Sequence, residues 1–202
     1  VPGEKFDMSK LDPAVAAVLQ SVPKVGFDKI MGHYSALDTV NGWQFTTKTG
    51  TYGTDYLQRA LITAIGLGAN LPQDAVYPTS KVDAAGQPYS GANKYVVHFD
   101  KGQLPPAEGF WSLTMYSVPD FFLVANPVDR YSIGDRTPGI VHDADGALTI
   151  TISHEEPKDP TAKANWLPAP RGDFRPVLRM YEPSPAVLDQ SYVVPAITRS
   201  QE

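Results

Sequence analysis

The sequence predicts a mainly β fold with a few helices: a jelly-roll-like β-sandwich carrying a packed amphipathic helix over about residues 54–66. Three observations predict it. From residue 75 onward the apolar residues recur with a period of two, which sends alternate side chains to opposite faces of a strand. The chain holds 19 Pro and 16 Gly, and the pairs Ala85-Gly86, Lys101-Gly102, Asp145-Gly146 and Arg171-Gly172 fall between the apolar runs as turn signals. Helical spacing is strongest before residue 70. Many short strands with tight loops, and helices at one end, are the layers of a sandwich.

Taken in order, residues 1–10 carry no period and read as an irregular arm. Asp12 as N-cap and Pro13 in the first turn start a short helix with Val15, Val18 and Leu19 on one stripe, which Pro23 is expected to stop. Residues 25–38 read as a second helix with Phe27, Ile30, Met31 and Tyr34 on one face. Residues 41–53, broken by Gly42, Gly50 and Gly53, read as loop or short strand. The clearest helix follows, with Thr54 as N-cap and Asp55 at its positive end. Leu57, Ala60, Leu61, Ala64 and Ile65 form a stripe suited to lie against a sheet, and Gly66 or Gly68 ends it. Strands are predicted at 75–79, 94–99, 110–116, 121–125, 147–153 and 174–181. Ser184 and Pro185 open a last helix, and 193–202 is an extended tail. The expected division is a helical arm over 1–40 and a β-sandwich domain over 41–202.

The run 109–131 is the longest stretch both apolar and rich in hydrogen-bonding groups. Phe110, Trp111, Leu113, Met115, Phe121, Phe122, Leu123 and Val124 call for burial; Ser112, Thr114, Tyr116, Asn126, Asp129, Arg130 and Tyr131 call for polar partners. It reads as two core strands ending in a polar corner, the best place to look for a site. Arg130 there can clamp a carboxylate or phosphate through two parallel hydrogen bonds, or pair structurally with Asp129, Asp135 or a backbone carbonyl. Trp111 reads as core. Trp166 lies in Asn165-Trp166-Leu167-Pro168-Ala169-Pro170, a segment stiffened by two prolines that either plugs the sandwich or lines a pocket.

Composition narrows the function classes. A net charge of −5 with scattered basic residues argues against nucleic acid as partner. The absence of cysteine excludes disulfides, a thiol nucleophile and Cys-ligated metal centres. No apolar run approaches the roughly 18 residues of a membrane helix. The chain opens Val-Pro-Gly-Glu-Lys-Phe with no basic and apolar leader, as a mature form or a fragment does. No G-x-S-x-G elbow, P-loop, dinucleotide fingerprint or H-E-x-x-H occurs, so no cofactor is expected. Asp143-Ala144-Asp145-Gly146 lacks the ligand spacing of a calcium loop and reads as a hairpin turn. Of His33, His98, His142 and His154, the last three lie in the β-rich part, where imidazoles could meet at the end of a sandwich and bind a metal; without metal-ligand spacing they read as scattered histidines, and no metal is expected.

Several runs, in this order, carry a family resemblance: Tyr52-Gly53-Thr54-Asp55-Tyr56-Leu57-x-Arg59-Ala60, Ala75-Val76-Tyr77-Pro78, Gly91-Ala92-Asn93-x-Tyr95, Leu104-Pro105-Pro106, Gly109-Phe110-Trp111-Ser112-Leu113-Thr114-x-Tyr116, Asn126-Pro127-x-x-Arg130-Tyr131 and 165–170. Over about residues 41–198 the chain resembles the bacterial family of domain of unknown function 1214, which typically follows a partner domain numbered 1254. The resemblance implies an exported, periplasmic or secreted protein with a β-rich, jelly-roll-like domain, and implies that 1–40 is the remnant of an upstream domain. It attaches no reaction.

Three functions follow as expectations. The first is binding of a small polar ligand or glycan in a pocket of the β-sandwich, with Tyr116, Asn126, Arg130, Asn165 and Trp166 as its residues. The second is a cofactor-independent hydrolase or lyase using Tyr116 and Arg130. The third is a structural domain that packs on a partner domain or assembles as a homo-oligomer.

Overall fold

Asp12 caps the first helix, as its position before Pro13 predicts: its carboxylate accepts the amides of Ala14 and Val15. The computed structural model describes Gly3 and residues 5–200; the outermost parts of the expected arm and tail lie outside the described residues. A 3-10 turn, Met8–Lys10, precedes the helix. Helix α1 then runs unbroken from Pro13–Ser35, with Pro23 inside it, where a stop and a restart were expected. Pro23 withholds one hydrogen bond from the Leu19 carbonyl, and the helix continues past that gap. Helix α2, Tyr56–Ile65, is capped by Asp55 rather than Thr54, through the Gln58 amide, and ends at Gly66.

The chain divides into two compact units. The first comprises Val1–Leu37 and Tyr52–Leu67. In it α1 and α2 meet, and His33 Nε2 lies 3.0 Å from Gln58 Oε1. Gln58, Leu61 and Ile62 are buried. The helix predicted over 54–66 therefore groups with the N-terminal helix. The second unit comprises Asp38–Thr51 and Gly68–Glu202 and holds both sheets.

The larger sheet contains β1 (Thr39–Val40), β2 (Trp43–Gln44), β3 (Ala75–Val76), β4 (Thr79–Ser80), β6 (Ala107–Ser117), β7 (Ser132–Gly134) and β10 (Phe174–Pro183). Its order is β1-β2-β4-β10-β6-β7, with β3 also paired to β10. The smaller sheet has β5 (Tyr95–Phe99), β8 (Leu148–Ser153), β9 (Trp166–Pro168) and β11 (Ile197–Arg199), in the order β11-β5-β8-β9. Two short helices, α3 (Pro160–Ala164) and α4 (Pro185–Leu188), sit in the connections. Among the described residues the fold is mainly β with four helices and two sheets that do not close, the coarser form of the expected architecture.

The two sheets share one apolar core. Leu113, Met115, Leu178 and Met180 come from the larger sheet; Val97, Phe99, Ile150 and Ile152 come from the smaller. Rings bridge the layers, Phe99 to Trp111 at 5.7 Å and Tyr95 to Phe174 at 5.6 Å. β8 follows the predicted alternation, with Leu148, Ile150 and Ile152 fully buried.

Two strand readings are corrected. Residues 121–125 form no strand; only an isolated bridge joins Leu123 to Tyr116. The chain folds back on β6, with the Phe121 amide donating to the Ser117 carbonyl and the Ser117 amide to Phe122. Phe121, Phe122 and Leu123 are 48, 71 and 50% exposed, against the burial expected for them, because no neighbouring strand covers that stretch. The opposite error occurs at 165–170. The proline-bound loop is partly strand β9, parallel to β8. Pro168 is tolerated because β9 is the edge of its sheet, where a missing amide breaks no inner ladder.

Candidate functional site

The polar corner forms as the spacing predicts, through backbone partners. Asn126 closes its own loop: its Oδ1 accepts the amides of Val128 and Arg130, and its Nδ2 donates to the carbonyls of Val124 and Arg130. Asp129, at φ 49°, completes the turn. Arg130 is thereby aimed across to the other segment, where one terminal nitrogen donates to the carbonyls of Ala164 and Trp166, both at 2.9 Å. Asn165 is buried and pairs twice with the Val141 backbone, accepting its amide at 2.8 Å and donating to its carbonyl at 2.7 Å. Trp166 is 1% exposed, and its indole N–H donates to the Ser153 carbonyl.

Asn126, Arg130, Asn165 and Trp166 are therefore brought together. The side-chain atoms of the two asparagines and the indole N–H are committed to backbone groups. That arrangement fixes two loops firmly. Tyr116 stands apart: among the described residues no hydrogen bond links it to the other four.

Tyr116 belongs to the outer face of the larger sheet. Along β10 the buried Phe174, Leu178 and Met180 alternate with half-buried Arg175, Val177, Arg179 and Tyr181. The register sets Arg175 opposite Tyr116, Val177 opposite Thr114, Arg179 opposite Ser112 and Tyr181 opposite Phe110. One side of the β6–β10 pair thus carries two guanidiniums, two aliphatic hydroxyls and three rings, two of them phenols. Arg179 donates to the Tyr116 hydroxyl at 2.6 Å and lies 5.5 Å from the centre of its ring. Arg175 lies 4.9 Å from the Phe121 ring, a cation–π distance. Phe121 holds a left-handed backbone, φ 55°, unusual for a bulky residue. Beyond Arg179, Tyr181 stacks on Phe110 at 4.4 Å and meets Tyr77 edge-on at 6.3 Å.

No carboxylate pairs with either guanidinium of this face among the described residues. Four ion pairs occur among the described residues, and none involves Arg175 or Arg179. The Lys81 ammonium is held below its usual pKa by burial and, second, by the Arg175 charge. Asp74 is a carboxylate felt nearby, at Tyr77.

Sequence reasoning reached Tyr116 and missed both arginines. Their signal was the alternation Phe174-Arg175-Pro176-Val177-Leu178-Arg179-Met180-Tyr181, which puts both cations on the phase opposite the core. Their meeting with Tyr116 depends on the β6–β10 register, which the local sequence does not encode.

The same face makes a pH prediction. The Tyr77 phenol is pushed up from 10.0 to about 12, first by burial and then by Tyr181. Burial also raises Tyr89 and Tyr192. From pH 10 upward the unfolded chain loses these protons while the folded chain keeps them. The stability contributed is therefore full below pH 10 and lost as pH rises through about 12. Denaturant midpoints should fall across that window, and less steeply for Tyr77→Phe; identical slopes would exclude Tyr77 from the effect.

The histidines do not cluster. His98 binds Thr149 and approaches Asp100, whereas His154 contacts the Ala169 carbonyl. No group of three metal-ligating side chains occurs among the described residues.

A family model described as protein of unknown function DUF1214 matches residues 74–185. The chain belongs to the DUF1214 family. The matched stretch runs from β3 to the start of α4, so the corner and the β6–β10 face both lie within the DUF1214 domain. No curated protein matches the chain. The chain is similar to the solved VPA0106 protein from Vibrio parahaemolyticus, with 28% identity, a TM-score of 0.66, and 98% of this chain and 47% of that one covered. A putative uncharacterized protein from Burkholderia cenocepacia matches at 14% identity and a TM-score of 0.43, covering 94% of this chain and 43% of that one. The chain thus spans about half the length of these two structures. No helix among the described residues is long and apolar enough to cross a membrane.

Proposed function

We propose that the DUF1214 domain binds a small polar ligand on the β6–β10 face, with Tyr116 as a contact residue. The observation that carries this reading is the pair of guanidiniums without a carboxylate partner, set among rings and hydroxyls on one sheet face. Such a mixture of flat apolar surface and a few placed polar groups is what a small-molecule site needs. Glycans fit the same chemistry through ring stacking and hydroxyl contacts. The corner of Asn126, Arg130, Asn165 and Trp166 enters the proposal as support that holds β9 and the 126–131 loop in place. The export and envelope location implied by the family resemblance belong to the same proposal.

Calorimetry and thermal shift against a panel of sugars, polyols and organic acids test it. Intrinsic fluorescence is the weaker probe, because Trp43, Trp111 and Trp166 are all buried in the second unit. A saturable heat that Tyr116→Ala removes is expected. A panel that yields neither heat nor a shift in melting temperature would sink the reading.

A second reading is favoured by α1. None of its residues is buried, and Val15, Val18, Leu19, Val22, Val25 and Phe27 are 38 to 63% exposed. An apolar helix surface of this kind is a docking surface. The occupant we propose is the partner domain of the 1254 type that the family resemblance implies. Mixing the chain with a separately produced domain of that type should give a complex in light scattering, and Val18→Glu with Val22→Glu should abolish it. Two unmixed species would refute this reading.

A further inference from the structure

We propose that the β6–β10 face selects a small organic carboxylate with a flat apolar body, an inference that rests on the ligand-binding reading above. Along a strand, residues four apart lie about 13 Å apart at Cα, so Arg175 and Arg179 start well separated. Both nevertheless flank Tyr116: Arg179 donates to its hydroxyl and lies over its ring, and Tyr116 stands directly across the ladder from Arg175. Arg175 in turn lies over Phe121, the residue held in left-handed backbone. The Tyr116 end of the face thus carries two guanidiniums, each beside a ring.

The charge balance argues for an anion. The chain carries −5 overall, yet this half-buried face gathers Arg175 and Arg179 without an acidic partner within ion-pair distance. A carboxylate beside either guanidinium gains paired, charge-assisted hydrogen bonds that no acidic side chain of the face supplies. Planar guanidiniums match the two oxygens of a carboxylate in a way that lysines do not. The rings argue for the flat body. Farther along the face Phe110 is already covered, by stacked Tyr181 and by the Arg136 guanidinium at 4.3 Å, which leaves half-exposed Phe121 and half-buried Tyr116 as the open rings. An anion with an aromatic or unsaturated body gains area on those two rings that inorganic phosphate cannot. Half-buried Ser112 lies across the ladder from Arg179 and offers a hydroxyl to a substituent.

The test is calorimetry of the full 202-residue chain with three probes: benzoate, its neutral isostere benzamide, and inorganic phosphate. Benzoate should bind about tenfold or more tightly than benzamide, and more tightly than phosphate. Arg179→Gln should weaken benzoate by about tenfold and leave benzamide unchanged. Arg175→Gln should do the same, which keeps the test valid if one variant fails to fold. Benzamide binding as tightly as benzoate overturns the carboxylate inference and leaves the polar-ligand reading standing. Phosphate binding in preference to benzoate overturns the flat-body part. Silence from all three probes, with a sugar or polyol bound instead, overturns the inference alone; silence from the whole panel overturns both.

Discussion

Trp166→Ala should lower the melting temperature by roughly 10 °C, an unfolding free-energy loss of about 3–5 kcal/mol for a chain of this size. Trp166 is 1% exposed and sits on edge strand β9, so truncation leaves a large cavity in the small sheet's packing. Its hydrogen bond is the lesser part. The Ser153 carbonyl that accepts the indole N–H also accepts the Ala169 amide, so it keeps a partner when the ring is gone. Trp166→Phe should therefore cost far less than alanine, about 1–2 kcal/mol. Chemical denaturation measures both. Equal losses for the two variants would assign the stability to the indole N–H and overturn the cavity argument. The wild-type carbonyl of Trp166 also holds Arg130, so the alanine variant should leave that contact in place.

Gly91→Ala should destabilise by about 2–3 kcal/mol, and Gly172→Ala should stay within about 0.5 kcal/mol of wild type. The two glycines face each other, with the Gly91 amide donating to the Gly172 carbonyl at 2.9 Å. A methyl at Gly91 overlaps the Pro170 carbonyl oxygen and stands 2.8 Å from the Pro170 carbonyl carbon and 2.9 Å from that of Arg171. Those atoms are backbone and cannot rotate away. A methyl at Gly172 meets nothing within 4 Å. Neither glycine has a left-handed φ, so the difference isolates close approach from backbone conformation. Comparable denaturation midpoints for the two variants would show that the 170–172 turn yields.

The legibility of the fold varied by element. Capping at Asp12, the end of α2 at Gly66, Pro185 in the first turn of α4 and the alternation in β8 were all readable, because each depends on residues within a few positions of one another. The reading failed where a long-range partner decides. Phe121, Phe122 and Leu123 have the composition of a strand and no strand beside them. Trp166, Leu167 and Pro168 have the composition of a loop and pair with β8. Pro23 is a local stop signal that the helix around it overrides.

The candidate site divides in the same way. The sequence by itself determined the family motifs, the absence of thiol and metal-ligand patterns, and the residue types available at the corner. It also determined that Arg175 and Arg179 share a face, because a period of two is a property of the strand alone. Only the tertiary structure decided that Arg130 turns to the carbonyls of Ala164 and Trp166 and that Arg179 closes on Tyr116, 63 residues away. Register and sheet order are set by the joint burial of many distant residues, and no single segment carries that information.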